Sequence, residues 1–258
     1  MMRLLSKMEW LRSLGDYGIF TFQSLIAIRK KPYRVRILVD EIEFIGVQSL
    51  FIIFLTALFT GAVFAYQSWL ALSIVGTQSL VGVSVSMALL RELAPVMTSI
   101  VVAGRAGAAM AAKIGIMRVT SQIDAIELMA ISPKHYLVTP KIYASLLSLP
   151  LLCAIFCLIG NVGGYIVGVG LCNIDSGIYL EKLKAYLYPM DLYHGMIKSV
   201  IFGLLLSSVS CWKGYRASNG AEGVGTATNE SVVVSIVGIL VLDYFLTILI
   251  PTGGNLQK

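Results

Sequence analysis

Residues 44–90 read FIGVQSLFIIFLTALFTGAVFAYQSWLALSIVGTQSLVGVSVSMALL, and they contain no Asp, Glu, Lys, Arg or His. A water-soluble domain cannot hide so long an uncharged run. A bilayer can, because about 20 apolar residues cross its hydrocarbon core as a helix. The run holds one whole span, a short turn and much of a second span. Charge returns as Arg91-Glu92, again within apolar sequence. Working outward, the whole chain of 258 residues is 57% hydrophobic and 13% charged. Globular domains carry about 25% charged residues, so the composition excludes a soluble fold and points to an integral membrane protein.

The net charge of +6 does not indicate nucleic acid. The basic residues lie in short segments flanking apolar spans. Cys153 and Cys157 sit inside an apolar run, and Cys172 and Cys211 near the ends of runs. There is no CxxC pair, and neither His135 nor His194 is near a cysteine, which argues against a zinc site or a disulfide framework. The thiols read as small apolar side chains. Residues 1–43 show no compact apolar core with a cleavage site, so the chain is expected to insert through its own first span.

Five spans are predicted, at about 45–70, 77–112, 142–171, 192–212 and 231–250, the second loosened near Pro95 and the last ending at Pro251. Residues 1–43 form the first segment, 44–250 the membrane domain and 251–258 a tail. Within the first segment, 17–28 is too short to span and reads as an amphipathic helix in the headgroup region. Arg29, Lys30, Lys31, Arg34 and Arg36 follow as a basic anchor, with Pro32 breaking the helix from the first span. Gln67, Ser68 and Trp69 mark the far interface.

Orientation follows from Lys and Arg. Segments 1–43, 113–141 and 213–229 carry fourteen of them; the turn at 70–76 and segment 172–191 carry two, Lys182 and Lys184. The basic side is cytoplasmic. With five spans the amino terminus is then inside and the carboxyl terminus outside. Gly160, Gly164 and Gly168 repeat every four residues, as do Gly104, Ala108 and Ala112, and Gly107, Ala111 and Gly115. Such faces let helix backbones approach closely in lipid.

No engine for ATP hydrolysis is visible. Gly220-Ala-Glu-Gly-Val-Gly225 is followed by Thr226 without the lysine of a phosphate-binding loop. Neither His135 nor His194 is placed as the base of an intramembrane serine protease, and Asp243 is the one aspartate deep in a span. The intramembrane ions are Arg91, Glu92, Arg105, Lys198 and Asp243, each costing several kcal/mol if it faced lipid. Two readings stand open for Arg91, Glu92 and Lys198: pairing of Arg91 or Lys198 with Glu92 or Asp243 that holds helices in register, or a polar cavity that takes a zwitterionic or anionic headgroup. Arg105 and Asp243 read as structural, and Arg105 is close enough to the inner face to snorkel.

Segment 119–131 reads as a short amphipathic helix stopped by Pro133. Thr120 or Ser121 is expected to cap it, and Ser121 with Asp124 resembles a capping box. Ile123, Ile126, Leu128 and Met129 give its apolar side; Asp124 and Glu127 suit the helix dipole. An acidic helix is repelled by the negative inner leaflet, which favours a protein partner.

The stretch 90–133, LRELAPVMTSIVVAGRAGAAMAAKIGIMRVTSQIDAIELMAISP, resembles the signature of MlaE-type permeases, roughly RELGPV…AGRxGxAxAAExGxMxVTEQIDALExMxxxP. Residues 213–228 and 242–247 resemble the family too, and the likeness runs from about 30 to 250. It implies the membrane subunit of an ATP-binding-cassette system that moves phospholipid between inner and outer membranes. The implied fold is all-α, five transmembrane helices with an amino-terminal interfacial helix and a short cytoplasmic coupling helix at 120–130. The implied partners are a second copy, two cytoplasmic ATPases that bind the ATP, and MCE-domain proteins outside. This chain itself is expected to hold no cofactor, metal or catalytic group.

By the same resemblance Thr120, Ser121, Gln122, Asp124, Ala125, Glu127 and Leu128 couple to the ATPase. Arg91, Glu92, Lys198 and Asp243 surround the lipid. Ser121 and Lys113 stand where the family usually has Glu, and Ala94 where it has Gly. Rival readings are a permease for a sterol or solvent, and a membrane scaffold without transport.

Overall fold

A computed structural model describes residues 15–27, 35–218 and 220–249. The basic residues before Gly15, the anchor from Arg29 to Arg34 with Pro32, and the tail from Pro251 lie outside the described residues. Among the described residues the chain is helical and has no strand. Five helical stretches are long and apolar enough to cross a bilayer: Val35–Val75, Gln78–Val119, Lys134–Gly170, Pro189–Tyr215 and Gly220–Leu249. The protein is therefore an all-α integral membrane protein.

Helix α1 covers 15–26. The first span is α2 (Val35–Ile45) and α3 (Leu50–Val75), joined by one tight turn at Val47–Ser49. It ends at Gly76, whose φ of 72° is the left-handed conformation that glycine adopts without strain. The second span is α4 (Val81–Ala88), α5 (Ala94–Val102) and α6 (Ala108–Val119), separated by wide π-turns at Leu89–Leu93 and Ala103–Gly107. Pro95 brings no N–H for the carbonyl of Arg91, one helical turn back. The helix widens just before it, and the Ala94 N–H reaches the Leu89 carbonyl. The short α7 (Gln122–Leu128) precedes a third span made of a π-turn at Lys134–Val138 and α8 (Thr139–Gly170). Helix α9 (Ser176–Tyr186) follows; Asp175 Oδ1 accepts the Ile178 N–H at 3.0 Å and caps it. The fourth and fifth spans are α10 (Pro189–Tyr215) and α11 (Gly220–Leu249).

Burial sorts the spans. The most apolar stretches of α8 and α10 are 56% and 61% buried, that of α11 only 11%. Helix α8 is the centre: α3, α10, α2 and α5 all pack on it, around Phe156, Phe202, Leu206 and Leu149. Apolar contact with lipid is no loss in a membrane, so close backbone approach decides which faces pair. A Cβ on Gly61 would lie 1.9 Å from the Gly160 carbonyl oxygen, and one on Gly163 2.2 Å from that of Leu58. Only glycines permit that α3–α8 contact. Further along the same stripe, Gly164 and Gly168 meet Val85 and the ring of Tyr179, which descends from α9. Tyr179 is 1% exposed.

Helix α1 lies across the feet of α8 and α10. Phe20, Ser24 and Ala27 are buried, while Ile19, Phe22 and Ile26 face out. The Tyr17 hydroxyl meets Ser208 Oγ at 2.6 Å, and burial pushes its pKa above the ordinary value. Thr139 and Tyr143 of α8 donate to the carbonyls of Ser24 and Leu25, both at 3.0 Å.

Candidate functional site

The sequence left the pairing of the intramembrane ions open, and the fold assigns partners. Consecutive residues on a helix point about 100° apart. Arg91 and Glu92 share the wide turn between α4 and α5 and so reach different parts of α10. Asp191 and Lys198 are seven residues apart on α10, on one face. Asp243 and Thr247 are four apart on α11, also on one face. Six side chains from three spans converge.

Arg91 reaches the start of α10. Its Nε donates to Asp191 Oδ1 at 2.8 Å and a terminal nitrogen lies 2.7 Å from the same oxygen. Asp191 Oδ2 accepts the Tyr188 N–H at 3.2 Å, so one carboxylate both caps α10 and holds Arg91. Sequence reasoning offered Glu92 or Asp243 as partners for Arg91 and did not consider Asp191. Its position beside Pro189 at a helix start is a capping signal, which masked its second role.

Lys198 lies between the other two carboxylates. Its Nζ donates to Glu92 Oε2 at 2.6 Å, to Asp243 Oδ1 at 3.0 Å and to Thr247 Oγ1 at 2.8 Å. An ammonium has three N–H donors, so Lys198 has none to spare. Exposure differs within the group: the Lys198 side chain is 3% exposed, Asp243 20%, Arg91 24% and Glu92 40%. Two cations meet three carboxylates. The open members are Glu92, an acceptor with unfilled lone pairs, and the outward edge of the Arg91 guanidinium.

Arg105 is half-buried. It ties the second span to the first: Nε donates to Ser49 Oγ at 2.9 Å, a terminal nitrogen donates to the Phe44 carbonyl, and the guanidinium lies over the Phe44 ring at 5.1 Å. Lys113, which stands where the family usually has Glu, has its Nζ 3.9 Å from Glu41 Oε1 of α2.

The segment expected to couple to an ATPase is a seven-residue helix with a left-handed residue on each side, Ser121 and Ala130, both at φ 57°. The expected capping box does not form. The Thr120 hydroxyl donates back to the Ile116 carbonyl at 2.8 Å, Ser121 makes no cap bond, and Arg118 takes Asp124 at 2.7 Å. A left-handed backbone at Ser121 turns its side chain away from the first free N–H groups. Ile123 alone of the expected apolar side is buried, against Ile114, Val138 and Ile142. Leu128 and Met129 are 89% and 70% exposed. Gln122, Asp124, Ala125 and Glu127 are exposed too, with the Tyr215 hydroxyl 3.2 Å from Glu127 Oε1.

On either side of the second span stand α3 and α11. Helix α3 packs on α8 and α4, α11 on α10 and α6, and the two barely touch each other. Arg91 and Glu92 lie on the span between them.

Comparison with known proteins adds the lineage. The family model described as Permease MlaE matches residues 38–249. A probable ABC transporter permease protein of Rickettsia conorii is 38% identical over 239 residues, covering 93% of this chain and 92% of its own. The intermembrane phospholipid transport system permease protein MlaE of Haemophilus influenzae is 34% identical over 247 residues, 95% of each chain. The chloroplastic protein TRIGALACTOSYLDIACYLGLYCEROL 1 of Arabidopsis thaliana is 35% identical over 229 residues, 89% of this chain and 65% of its own.

Proposed function

This chain belongs to the MlaE permease family, and from that premise we propose that it is the membrane subunit of an ATP-binding-cassette transporter that moves phospholipid between the inner and outer membranes. It works as a homodimer in the bacterial inner membrane. Two ATPase chains bind and hydrolyse ATP on the cytoplasmic side, and an MCE-domain protein takes part outside. The amino terminus is cytoplasmic and the carboxyl terminus periplasmic.

The observation that carries the reading is the uneven exposure of the ion group. The Lys198 and Asp191 side chains are sealed in, while those of Glu92 and Arg91 are 40% and 24% exposed. Ions serving register alone have no reason to stay open to lipid, where exposure costs several kcal/mol. A second copy placed over this exposed face would close it into a chamber with apolar walls and one polar wall. There Arg91 takes the phosphate of a headgroup, and Glu92 takes its positive or hydroxyl-bearing end. Lys198, with Asp243 and Thr247, fixes the Glu92 carboxylate in place.

Energy enters through α7. Its exposed acidic and apolar residues fit a groove on the ATPase, and the buried Ile123 ties movement of α7 to α6 and α8. A closing ATPase shifts the chamber between two states, and lipid is released because its affinity for them differs.

The test is the phospholipid that co-purifies with the assembled complex, measured by mass spectrometry. Glu92→Leu and Arg91→Leu are expected to lower it severalfold with assembly intact; unchanged occupancy in both overturns the reading. Coupling is tested separately. The double variant Asp124→Lys, Glu127→Lys is expected to abolish lipid-stimulated ATP hydrolysis, and wild-type stimulation refutes docking through α7.

A further inference from the structure

A second ionic cluster lies at the foot of the first span, away from Arg91 and Lys198. Glu41 of α2, Lys113 of α6 and Lys141 of α8 form it. Glu41 and Lys141 are 8% and 2% exposed. Lys141 Nζ donates to Glu41 Oε1, and Lys113 Nζ lies 3.9 Å from the same oxygen. The other oxygen, Glu41 Oε2, is buried with no hydrogen-bond partner among the described residues. Lys141 spends one N–H of the three an ammonium offers.

Buried polar groups in native proteins are satisfied, and an exception asks for an occupant. Here there is room for one. Glu41, Lys113, Lys141 and Tyr136 line a cavity of about 250 Å³, and Ile37, Ile114, Met117 and Leu137 supply its apolar walls. Val35 and Val39 of α2 and Ile116 of α6 are exposed apolar side chains on two of the helices that frame the cavity. The occupant needs acceptors for two lysines, a donor for one carboxylate oxygen, and an apolar body. Free phosphate meets the lysines but leaves the carboxylate facing an anion.

We propose that this cavity binds the headgroup of a phospholipid carrying a protonated primary amine, in the leaflet on the Lys113 side, the side the Lys and Arg distribution assigns to the cytoplasm. The phosphate oxygens accept from Lys113 and from an unspent N–H of Lys141. The amine donates to Glu41 Oε2, a charge-assisted bond in a low-dielectric setting. The acyl chains leave along the apolar outer sides of α2 and α6. A quaternary ammonium has no N–H and cannot make the last bond. The site is independent of the transport reading, because none of its residues takes part in the Arg91–Lys198 group.

The test is photocrosslinking of the full-length chain in vesicles of equal phosphatidylethanolamine, phosphatidylglycerol and phosphatidylcholine. A p-benzoylphenylalanine replaces Ile37, and intact mass identifies the adduct. Replacement of Phe59, exposed on α3, reports the surrounding lipid. Position 37 is expected to capture phosphatidylethanolamine at least about fivefold over phosphatidylcholine, while position 59 follows the mixture. Lys113→Glu, on an exposed side chain that folding tolerates, and the cavity-filling Met117→Trp are each expected to remove that preference. Adducts at 37 in the proportions of the mixture overturn the site. A preference untouched by Lys113→Glu overturns the phosphate contact, and a preference for phosphatidylglycerol overturns the amine.

Discussion

Arg91 and Asp191 join the wide turn of the second span to the start of α10, both contacts falling on Asp191 Oδ1 at 2.7 and 2.8 Å. The Asp191 carboxylate is 2% exposed, and its second oxygen holds the first turn of α10. Removing it strips a cap and leaves a part-buried guanidinium without its counter-ion.

Asp191→Ala is therefore expected to cost roughly 3 kcal/mol, from the broken ion pair and the lost cap together. Asp191→Asn, which can still accept from Tyr188, is expected to cost less. Thermal unfolding of the detergent-purified protein checks both. Equal midpoints for wild type and Asp191→Ala refute the structural role.

Two glycine substitutions should act with opposite sign. Gly61→Ala drives a Cβ to 1.9 Å from the Gly160 oxygen, so α3 and α8 must part; the expected loss is roughly 1–3 kcal/mol. Gly104→Ala meets nothing within 4 Å and should gain about 0.5 kcal/mol from helix propensity. Melting curves of the isolated chain, run side by side, decide it.

Tyr179 gives a pH signature. Burial, then the neighbouring Tyr165, raises its pKa from 10.0 to about 12. The unfolded chain releases this proton near 10 while the folded chain keeps it. The stabilising effect is thus whole below pH 10 and is lost as pH rises through 12, at up to about 1.4 kcal/mol per pH unit. Tyr179→Phe should lack that part of the alkaline decline. At neutral pH it should be neutral or stabilising by up to about 1 kcal/mol, because the hydroxyl is buried without a hydrogen-bond partner among the described residues. Unfolding midpoints from pH 8 to 11 that fall in parallel for both proteins count against it.

Cysteine labelling reads the orientation. Cys153, Cys157 and Cys211 are buried, and Cys172, after α8, is half-buried. An impermeant maleimide applied to the periplasmic face of sealed membranes should label Cys172 alone, and all four thiols after denaturation. Burial holds the Cys172 pKa above its ordinary value, so labelling should quicken as pH rises from 7 to 9. Labelling from the cytoplasmic face instead inverts the topology.

The spans were legible because a helix in lipid must be apolar over its whole length, and runs such as 44–90 satisfy that without reference to anything else in the chain. The close α3–α8 seam was half legible. The glycine stripe at 160, 164 and 168 announced a contact, but not that Gly61 meets its first member and Tyr179 its last. Ion pairing was half legible: Lys198 takes Glu92 and Asp243, the partners the sequence offered, while Arg91 passes over both for Asp191. Arg91 had three carboxylates to choose from, and its choice depends on a wide turn that no residue pattern marks except Pro95 nearby. Glu41 and Lys141 escaped notice because each looked like the polar end of a span. Local rules failed where a more distant residue competed, as when Arg118 took the Asp124 carboxylate that the capping box required.

The widened turns of the second span also bear on how such a chain tolerates insertion and deletion. Each absorbs one extra residue, and each residue rotates an α-helix by about 100°. Losing a single residue between Leu89 and Leu93 would leave a smooth, equally greasy rod that still crosses the bilayer. It would also swing Arg91 and Glu92 out of phase with α10. Length within this short stretch is thus under stricter control than its composition, and lineages should trade its side chains far more freely than its count.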